Sequence, residues 1–277
     1  MRLLSVDARR GLTRRRIVGL VLLAAVALFA LVGPLLAGAD PRVQVLADSL
    51  ARPGAAHWLG TDVLGRDGFA RLAAAARLSL GLALVAALTA AVPGVLLGVW
   101  AAWRGGAVER SLVLLADAVL AVPGLLLVLL FAGIAPGRHW ALYVGLSLAL
   151  WVEYFRVARA AARPVLAGDA VQASRLLGFG PVYLLRRHLL PALAPVLGTL
   201  LAFSAAQAVL ALAALGFVGV GLQPPTAELG LMMTESLPYY EEAPWLIVAP
   251  VALLMLLVLG MMLLADGTPA DPAEVPA

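Results

Sequence analysis

The sequence predicts an all-α, polytopic membrane protein with about six transmembrane helices. Three observations carry this prediction. Of 277 residues, 63% are hydrophobic and only 13% are charged, with a mean hydropathy of +0.99, whereas soluble domains sit near half apolar and a quarter charged. The apolar residues fall in uncharged stretches that reach the about 20 residues a bilayer-crossing helix needs. Gly, Ala and Leu dominate those stretches, as expected where helices pack closely in lipid. A soluble enzyme, a disordered chain and a nucleic-acid-binding module are thereby excluded. The chain has no cysteine, which removes disulfides, thiolate metal sites and cysteine nucleophiles. Its three histidines, His57, His139 and His188, are too far apart for a helical metal pair, so no metal site is expected.

The spans follow in order. Ile17 to Ala39 carries no charge, predicting a first helix near 17–38. The arginines before it and Ala37-Gly38-Ala39 after it resemble a signal peptide with its cleavage site. The apolar core of a signal peptide is only about 7–15 residues, so an uncleaved helix is favoured. Leu78 to Trp103 is uncharged, and Ser111 to Gly137 contains a single acid, Asp117. These predict helices near 78–103 and 111–133, kinked at Pro93 and Pro123. His139 to Val152 leads into Glu153 and a run of arginines, predicting a helix near 140–162. His188 to Ala227 is uncharged but too long for one straight span, and prolines mark its ends; a helix near 194–220 fits inside it. Ala243 to Ala265 supplies the last, near 245–265.

All twenty basic residues are arginine. With a cytoplasmic N-terminus, fourteen of them fall on inside segments and six on outside ones, while the last outer loop carries Glu228, Glu235, Glu241 and Glu242. This bias predicts both termini inside and accounts for the net charge of +4 as membrane topology.

The acids near the spans have structural readings. Asp117 lies about 9 Å into its helix at 1.5 Å per residue, near the interface, with Arg110 or Arg156 as its partner. Glu153 is one turn from Arg156, which predicts a local pair. Arg156, Arg159 and Arg163 share a helix face suited to lipid headgroups. An ion-coupled carrier or channel needs ionisable groups at mid-membrane and often an inverted repeat; no such repeat is visible.

Two hydrophilic segments are richer than connectors need to be. Outside, His57-Trp58-Leu59-Gly60-Thr61-Asp62-Val63-Leu64-Gly65-Arg66-Asp67 has the glycines and Asp of side-chain-fixed turns, with Asp67 set near the start of helix two. Inside, Gly168-Asp169-Ala170-Val171-Gln172-Ala173-Ser174-Arg175-Leu176-Leu177-Gly178-Phe179-Gly180-Pro181 predicts a short helix capped by Asp169. Val171, Leu176 and Leu177 form its apolar side, and Gly178 to Pro181 end it. Such a helix either lies in the membrane interface or is a knob for a soluble partner.

These segments carry a family resemblance. His57–Asp67 resembles the H-x-x-GTD-x-LGRD signature of ABC-importer permeases of the dipeptide/oligopeptide/nickel branch. Gln172-Ala173-Ser174, Gly178 and Leu190-Pro191 are similar to the importer loop EAA-x3-G-x9-I-x-LP, with Gln172 for the usual Glu and His188 for the usual Ile. Phe217 to Thr226 resembles the branch's FLGLGVQPPT turn, and Asp266-Gly267 the start of its C-terminal tail. The resemblance spans roughly His57 to Gly267 and implies a type I importer permease fold. It divides the chain into a cytoplasmic segment 1–16, a permease domain 17–267 with an outer loop 40–77 and a cytoplasmic coupling segment 164–192, and a short cytoplasmic tail 268–277.

The resemblance further implies a non-catalytic subunit of the bacterial inner membrane forming half of a translocation pathway. Its implied partners are a second, homologous permease, two ATPases and an extracytoplasmic binding protein, with substrates among dipeptides, oligopeptides, nickel and metal–opine complexes. Asp169, Gln172, Ala173, Ser174, Leu176, Leu177 and Gly178 are the implied coupling residues. Gly60, Thr61, Asp62, Gly65, Arg66 and Asp67 are the outer signature, with Asp62, Arg66 and Asp67 expected to fix the outer loop against the partner permease. The chain carries no G-x-x-x-x-G-K-[ST] phosphate loop. ATP and Mg2+ are therefore expected on the partner ATPases and no cofactor on this chain.

Overall fold

The computed structural model describes residues 14–265. Asp266-Gly267, most of segment 1–16 and the tail 268–277 lie outside the described residues. Five runs are long and apolar enough to cross a membrane: α1 (Arg14–Ala37), α2 (Gly68–Arg104), α5 (His139–Ala167), α8 (Leu190–Phe217) with the turns leading into it, and α10 (Trp245–Ala265). A sixth crossing is made if α3 (Gly106–Leu120) and α4 (Gly124–Ile134), bent by 72°, count as one broken span. Three short helices complete the set: α6 (Asp169–Leu176), α7 (Pro181–Leu184) and α9 (Leu229–Ser236).

The helix boundaries differ from expectation in ways that matter for the site. α2 begins at Gly68, ten residues before the expected 78, so Arg71 and Arg77 are helical and not in a loop. The same helix runs through Pro93 without a break. The third span is broken outright: Pro123 is the N-cap of α4 and is extended at ψ 131°. Proline lacks an N–H and its ring disfavours a helical residue before it, which separates α3 from α4. The fourth helix extends to Ala167, five residues past the expected 162. The fifth begins at Leu190 after a single π-helical turn, Leu185–Leu189, and stops at Phe217. α9, inside what was expected to be an outer loop, has no counterpart in the predicted elements.

α2 and α5 form the central seam. α2 buries Ala83, Ala86, Ala87, Ala90, Gly94, Gly98 and Ala101, a stripe at helical spacing made of the smallest side chains. α5 answers with Trp151, Tyr154, Phe155, Ala158 and Ala162. Lipid tails are as apolar as these side chains, so close backbone packing, and not exclusion of water, holds such helices together. The approach is closest at Gly94 and Gly98. A Cβ at Gly94 would lie 2.5 Å from the Trp151 carbonyl oxygen and 2.6 Å from Tyr154 Cβ; one at Gly98 would lie 2.5 Å from the Phe155 carbonyl oxygen. The rest of the main core is built outward from this seam, with Val209, Leu212 and Leu215 of α8 and Leu253 and Leu257 of α10 joining it.

Three arginines of α5 close their charges within the chain. Arg156 bonds Asp117 at 2.6 Å, Arg159 bonds Glu109 at 2.7 Å, and Arg163 also bonds Glu109. This chooses Arg156 over Arg110 for Asp117. It also replaces the expected Glu153–Arg156 pair, since the Arg156 guanidinium is bonded to Asp117 on α3. Acids on α3 thus face all three arginines across the helix contact, while the Arg156 and Arg163 side chains stay half-exposed.

Gly94→Val and Gly98→Val are expected to lower the thermal unfolding midpoint in detergent by the equivalent of about 1–3 kcal/mol each, the usual cost of overpacking. Gly133→Ala, whose Cβ would meet nothing within 4 Å, is the control and should leave the midpoint unchanged. Equal midpoints for all three would contradict the seam.

Candidate functional site

The described residues hold two motif-bearing regions, at opposite ends of the helices. The first is the 57–67 loop. Asp67 caps α2, its Oδ1 accepting the Ala70 N–H at 2.7 Å, while Oδ2 bonds His57 Nδ1 at 2.8 Å. Asp62 Oδ1 accepts the backbone N–H of Leu64 at 2.9 Å and of Arg66 at 3.0 Å, folding the loop into a side-chain-fixed turn. Thr61 Oγ1 accepts the Ala51 N–H at 2.8 Å and donates to the Asp48 carbonyl. Gly65 turns the chain at φ +70° against the backbone of Val45, where a Cβ would lie 1.8 Å from a carbonyl oxygen. Gly60 completes the set, its carbonyl accepting the Gly68 N–H at 2.8 Å.

Arg66 and Arg71 are each 1% exposed. Arg66 Nε donates to Asp62 Oδ2 at 2.5 Å, and its Nη2 lies 3.2 Å from both oxygens of Glu235. Arg71 donates to Glu235 Oε2, and its Nη1 lies 3.2 Å from Asp62 Oδ2. Two arginines and two carboxylates thus form a closed, neutral knot. It ties the loop and the start of α2 to α9. In the sequence Glu235 and Arg71 read only as loop charges. Arg71 was legible as a residue one turn past the Asp67 cap, but Glu235, 164 residues away, had no local signal.

α9 is itself locked down. Glu228 is its N-cap, Oε2 accepting the Leu231 N–H at 2.9 Å. Burial pushes the Glu228 carboxyl above the usual carboxylate range, opposed by the backbone N–H groups it accepts. Thr234 donates to the Phe217 carbonyl at 2.7 Å, fastening α9 to the end of α8. Within this chain the side chains of Asp62, Arg66 and Asp67 bond the loop itself, His57, the first turn of α2 and Glu235.

The second region is α6 and its exit. Gly168, not Asp169, occupies the N-cap; Asp169 is the first helical residue, where its charge meets the positive end of the helix. Val171 is buried, whereas Leu176 is 90% and Leu177 76% exposed, so the three do not share one face. Ala173 is exposed as well. Gly178 closes the helix at φ +80°, with the Phe179 N–H bonded to the Ser174 carbonyl at 3.1 Å and its own N–H to Arg175 at 3.0 Å. That left-handed closure is the usual glycine C-cap. Nothing lies within 4 Å of a Cβ at Gly178, so its requirement within the chain is the backbone angle alone.

Three contacts hold α6 to three different helical segments. Gln172 Nε2 donates to the Leu166 carbonyl at the end of α5, at 3.3 Å. The Arg175 guanidinium sits over the Trp103 ring at the end of α2, 5.2 Å from its centroid, a cation–π contact. Ser174 Oγ bonds His188 Nε2 in the π-helical turn, at 3.0 Å. The Ser174 hydroxyl has one proton and gives it to the Ala170 carbonyl at 2.8 Å, so His188 is the donor. Both departures from the importer loop, Gln172 and His188, are thus tethers. Beyond them Phe179 stacks on Tyr183 at 4.2 Å, and Val182 is exposed. This end presents an apolar tip on a fixed mount, with no carboxylate–base or ligand cluster. Among the described residues no group of His, Asp and Glu is arranged to hold a metal.

Removing one member of a buried ion cluster strands its partners and costs about 3–5 kcal/mol. Glu235→Ala and Arg66→Ala are each expected to destabilise on that scale by thermal unfolding. The Glu235→Ala/Arg66→Ala double variant should lose less than the sum of the two. A full sum would show that the knot does not couple the residues.

With this geometry in view, comparison with known proteins is direct. Residues 94–267 match the family model for binding-protein-dependent transport system inner membrane components. The di/tripeptide transport system permease protein of Pseudomonas aeruginosa is 37% identical over 258 residues, covering 90% of this chain and 84% of that protein. The nickel transport system permease protein of Escherichia coli K12 is 32% identical, covering 89% of each. Among solved structures, a chain of the MetNI methionine ABC transporter in an inward-facing conformation superposes with a TM-score of 0.54 at 21% identity, over 68% of this chain and 90% of that one, which shows a shared fold. The chain belongs to the binding-protein-dependent transport system inner membrane components, and it is a multi-pass permease subunit of an ABC importer.

Proposed function

We propose that this permease forms half of a pathway for peptides or a small metal chelate, with α6 as the lever against an ATPase. The observation that carries the proposal is the build of α6: Leu176 and Leu177 project into the open while Gln172, Ser174 and Arg175 fasten the helix to α5, the π-helical turn and α2. A stiff mount converts movement of a docked partner into rigid-body rotation of spans. The apolar tip suits a cleft in a soluble protein, since solvent-exposed leucines of this size in one place mark an interaction surface.

The intended partners are two ATPases, which bind ATP and Mg2+, a second homologous permease, and an extracytoplasmic binding protein. The arginine distribution favours both termini on the cytoplasmic side, which places α6 there as docking requires. Small peptides and nickel are supported as cargo by the di/tripeptide and nickel transport of the relatives. An ion-coupled carrier without an ATPase is not favoured: Asp117 and Glu109 are held by arginines, and the relatives are ABC permeases.

In the reconstituted complex, Leu176→Asp and Leu177→Asp are expected to leave membrane insertion intact and to abolish substrate-stimulated ATP hydrolysis. Gly178→Trp should do the same, because Trp resists φ +80° and sits beside the tip. Gln172→Ala removes a single neutral hydrogen bond, worth about 0.5–1.5 kcal/mol, and should be milder. Normal coupling in the leucine variants would show that α6 is an interfacial helix. A reporter fused after Ala277 should read cytoplasmic, and one inserted at Ala55 should read periplasmic; the reverse pattern would overturn the orientation.

A further inference from the structure

A cavity of about 780 Å³ opens at the end that carries the 57–67 loop, between the exit of α1, the first turns of α2, the start of α5 and the Pro225–Ala227 turn. This volume is within the about 300–1,000 Å³ range of sites for small ligands. Its charged lining is Arg42 and Arg77, with His139 beside them and no acid. Neither the Arg42 nor the Arg77 guanidinium has a carboxylate partner among the described residues, in contrast to Arg66 and Arg71 nearby; the Asp40 carboxylate accepts the Arg42 backbone N–H instead.

Below the arginines the wall turns apolar. Leu78, Leu82 and Val85 line it along α2. From Leu78 to Val85 the helix rises about 10 Å, two-thirds of the about 15 Å that is half of a bilayer's hydrocarbon core. Trp140 stands at the rim, exposed, in the position of an interfacial aromatic anchor. A Cβ at Gly81 would meet nothing within 4 Å, so the helix surface there is open where an acyl chain would lie.

We infer that this cavity is a binding site for an anionic phospholipid, its phosphate on Arg42 and Arg77 and one acyl chain along Leu78–Val85. Charge and shape both select this occupant. The guanidinium groups recognise a phosphate diester by charge-assisted hydrogen bonds, and the apolar wall below them follows the upper two-thirds of one leaflet's acyl chain. A peptide carboxylate would satisfy the arginines but would leave its amine facing an acid-free wall.

The test is native mass spectrometry of the full chain, extracted in its assembled complex and equilibrated in nanodiscs of mixed phosphatidylglycerol and phosphatidylcholine. The wild-type complex should retain phosphatidylglycerol in preference to phosphatidylcholine. Arg42→Gln/Arg77→Gln should reduce that preference roughly tenfold, the scale of lost charged hydrogen bonds. Gly81→Phe, whose Cβ would meet nothing within 4 Å and whose ring would occupy the groove, should displace the lipid while both arginines remain; this keeps the test valid if the double variant folds poorly. Equal retention of the two lipids by wild type, or unchanged retention in Gly81→Phe, would overturn the assignment. So would displacement of phosphatidylglycerol by a dipeptide at its transport concentration, which would make the cavity a substrate site.

Discussion

Everything in this permease hangs on how closely α2 approaches α5. In lipid there is no water to expel between helices, so contact area and backbone proximity have to hold the pair. Alanine and glycine on one stripe of α2 permit it, and the large rings of Trp151, Tyr154 and Phe155 fill the other side. The consequences run in both directions along the pair. At one end the approach fixes the start of α2, and with it the capped 57–67 loop. At the other it fixes Trp103 and Leu166, two of the three points where α6 is attached. The seam also sets α3 against α5 at the distance where Glu109 and Asp117 reach the α5 arginines.

The two ends solve different problems. The loop end pairs its charges: Asp62, Arg66, Arg71 and Glu235 bond one another and leave little of the arginines in contact with solvent. Such a cluster is weak evidence for net stability but penalises any arrangement that separates its members, so it specifies where α9 sits. The α6 end leaves its apolar surface unclosed. Leu176, Leu177 and Val182 are exposed on a segment whose backbone is nonetheless pinned at three places. A closed knot suits a part that must not move relative to its neighbours. An open apolar tip on a rigid mount suits a part that is pushed by something else.

Much of this was legible in the residues, and the illegible parts share a cause. The spans announced themselves as uncharged runs, because the bilayer acts on each helix separately. The cap at Asp67 and the stop at Gly178 were readable because capping is local chemistry. What failed depended on partners far away in the chain. Arg71 and Arg77 made the start of α2 look like a loop, since nothing local shows that Glu235 neutralises Arg71. Glu153 and Arg156 looked like a pair at helical spacing until Asp117 offered the arginine a partner on another helix. Gln172 and His188 stood out as departures from a pattern, but their use as tethers to Leu166 and Ser174 needed the folded arrangement of α5, α6 and the π-helical turn.

If α6 is the lever proposed above, α6 and the start of α8 move as one body when the transporter cycles. The absence of cysteine lets spin labels be placed without first removing native thiols. Labels at Ala170 and Val196, both exposed, report the distance across the mount; labels at Ala170 and Leu256 report the mount against α10. Pulsed electron paramagnetic resonance on the assembled complex, with and without nucleotide, should show the first distance unchanged and the second shifted. A shift or broadening of the Ala170–Val196 distance, with Ala170–Leu256 constant, would contradict the account: α6 would then be hinged on its tethers and would not act as a lever.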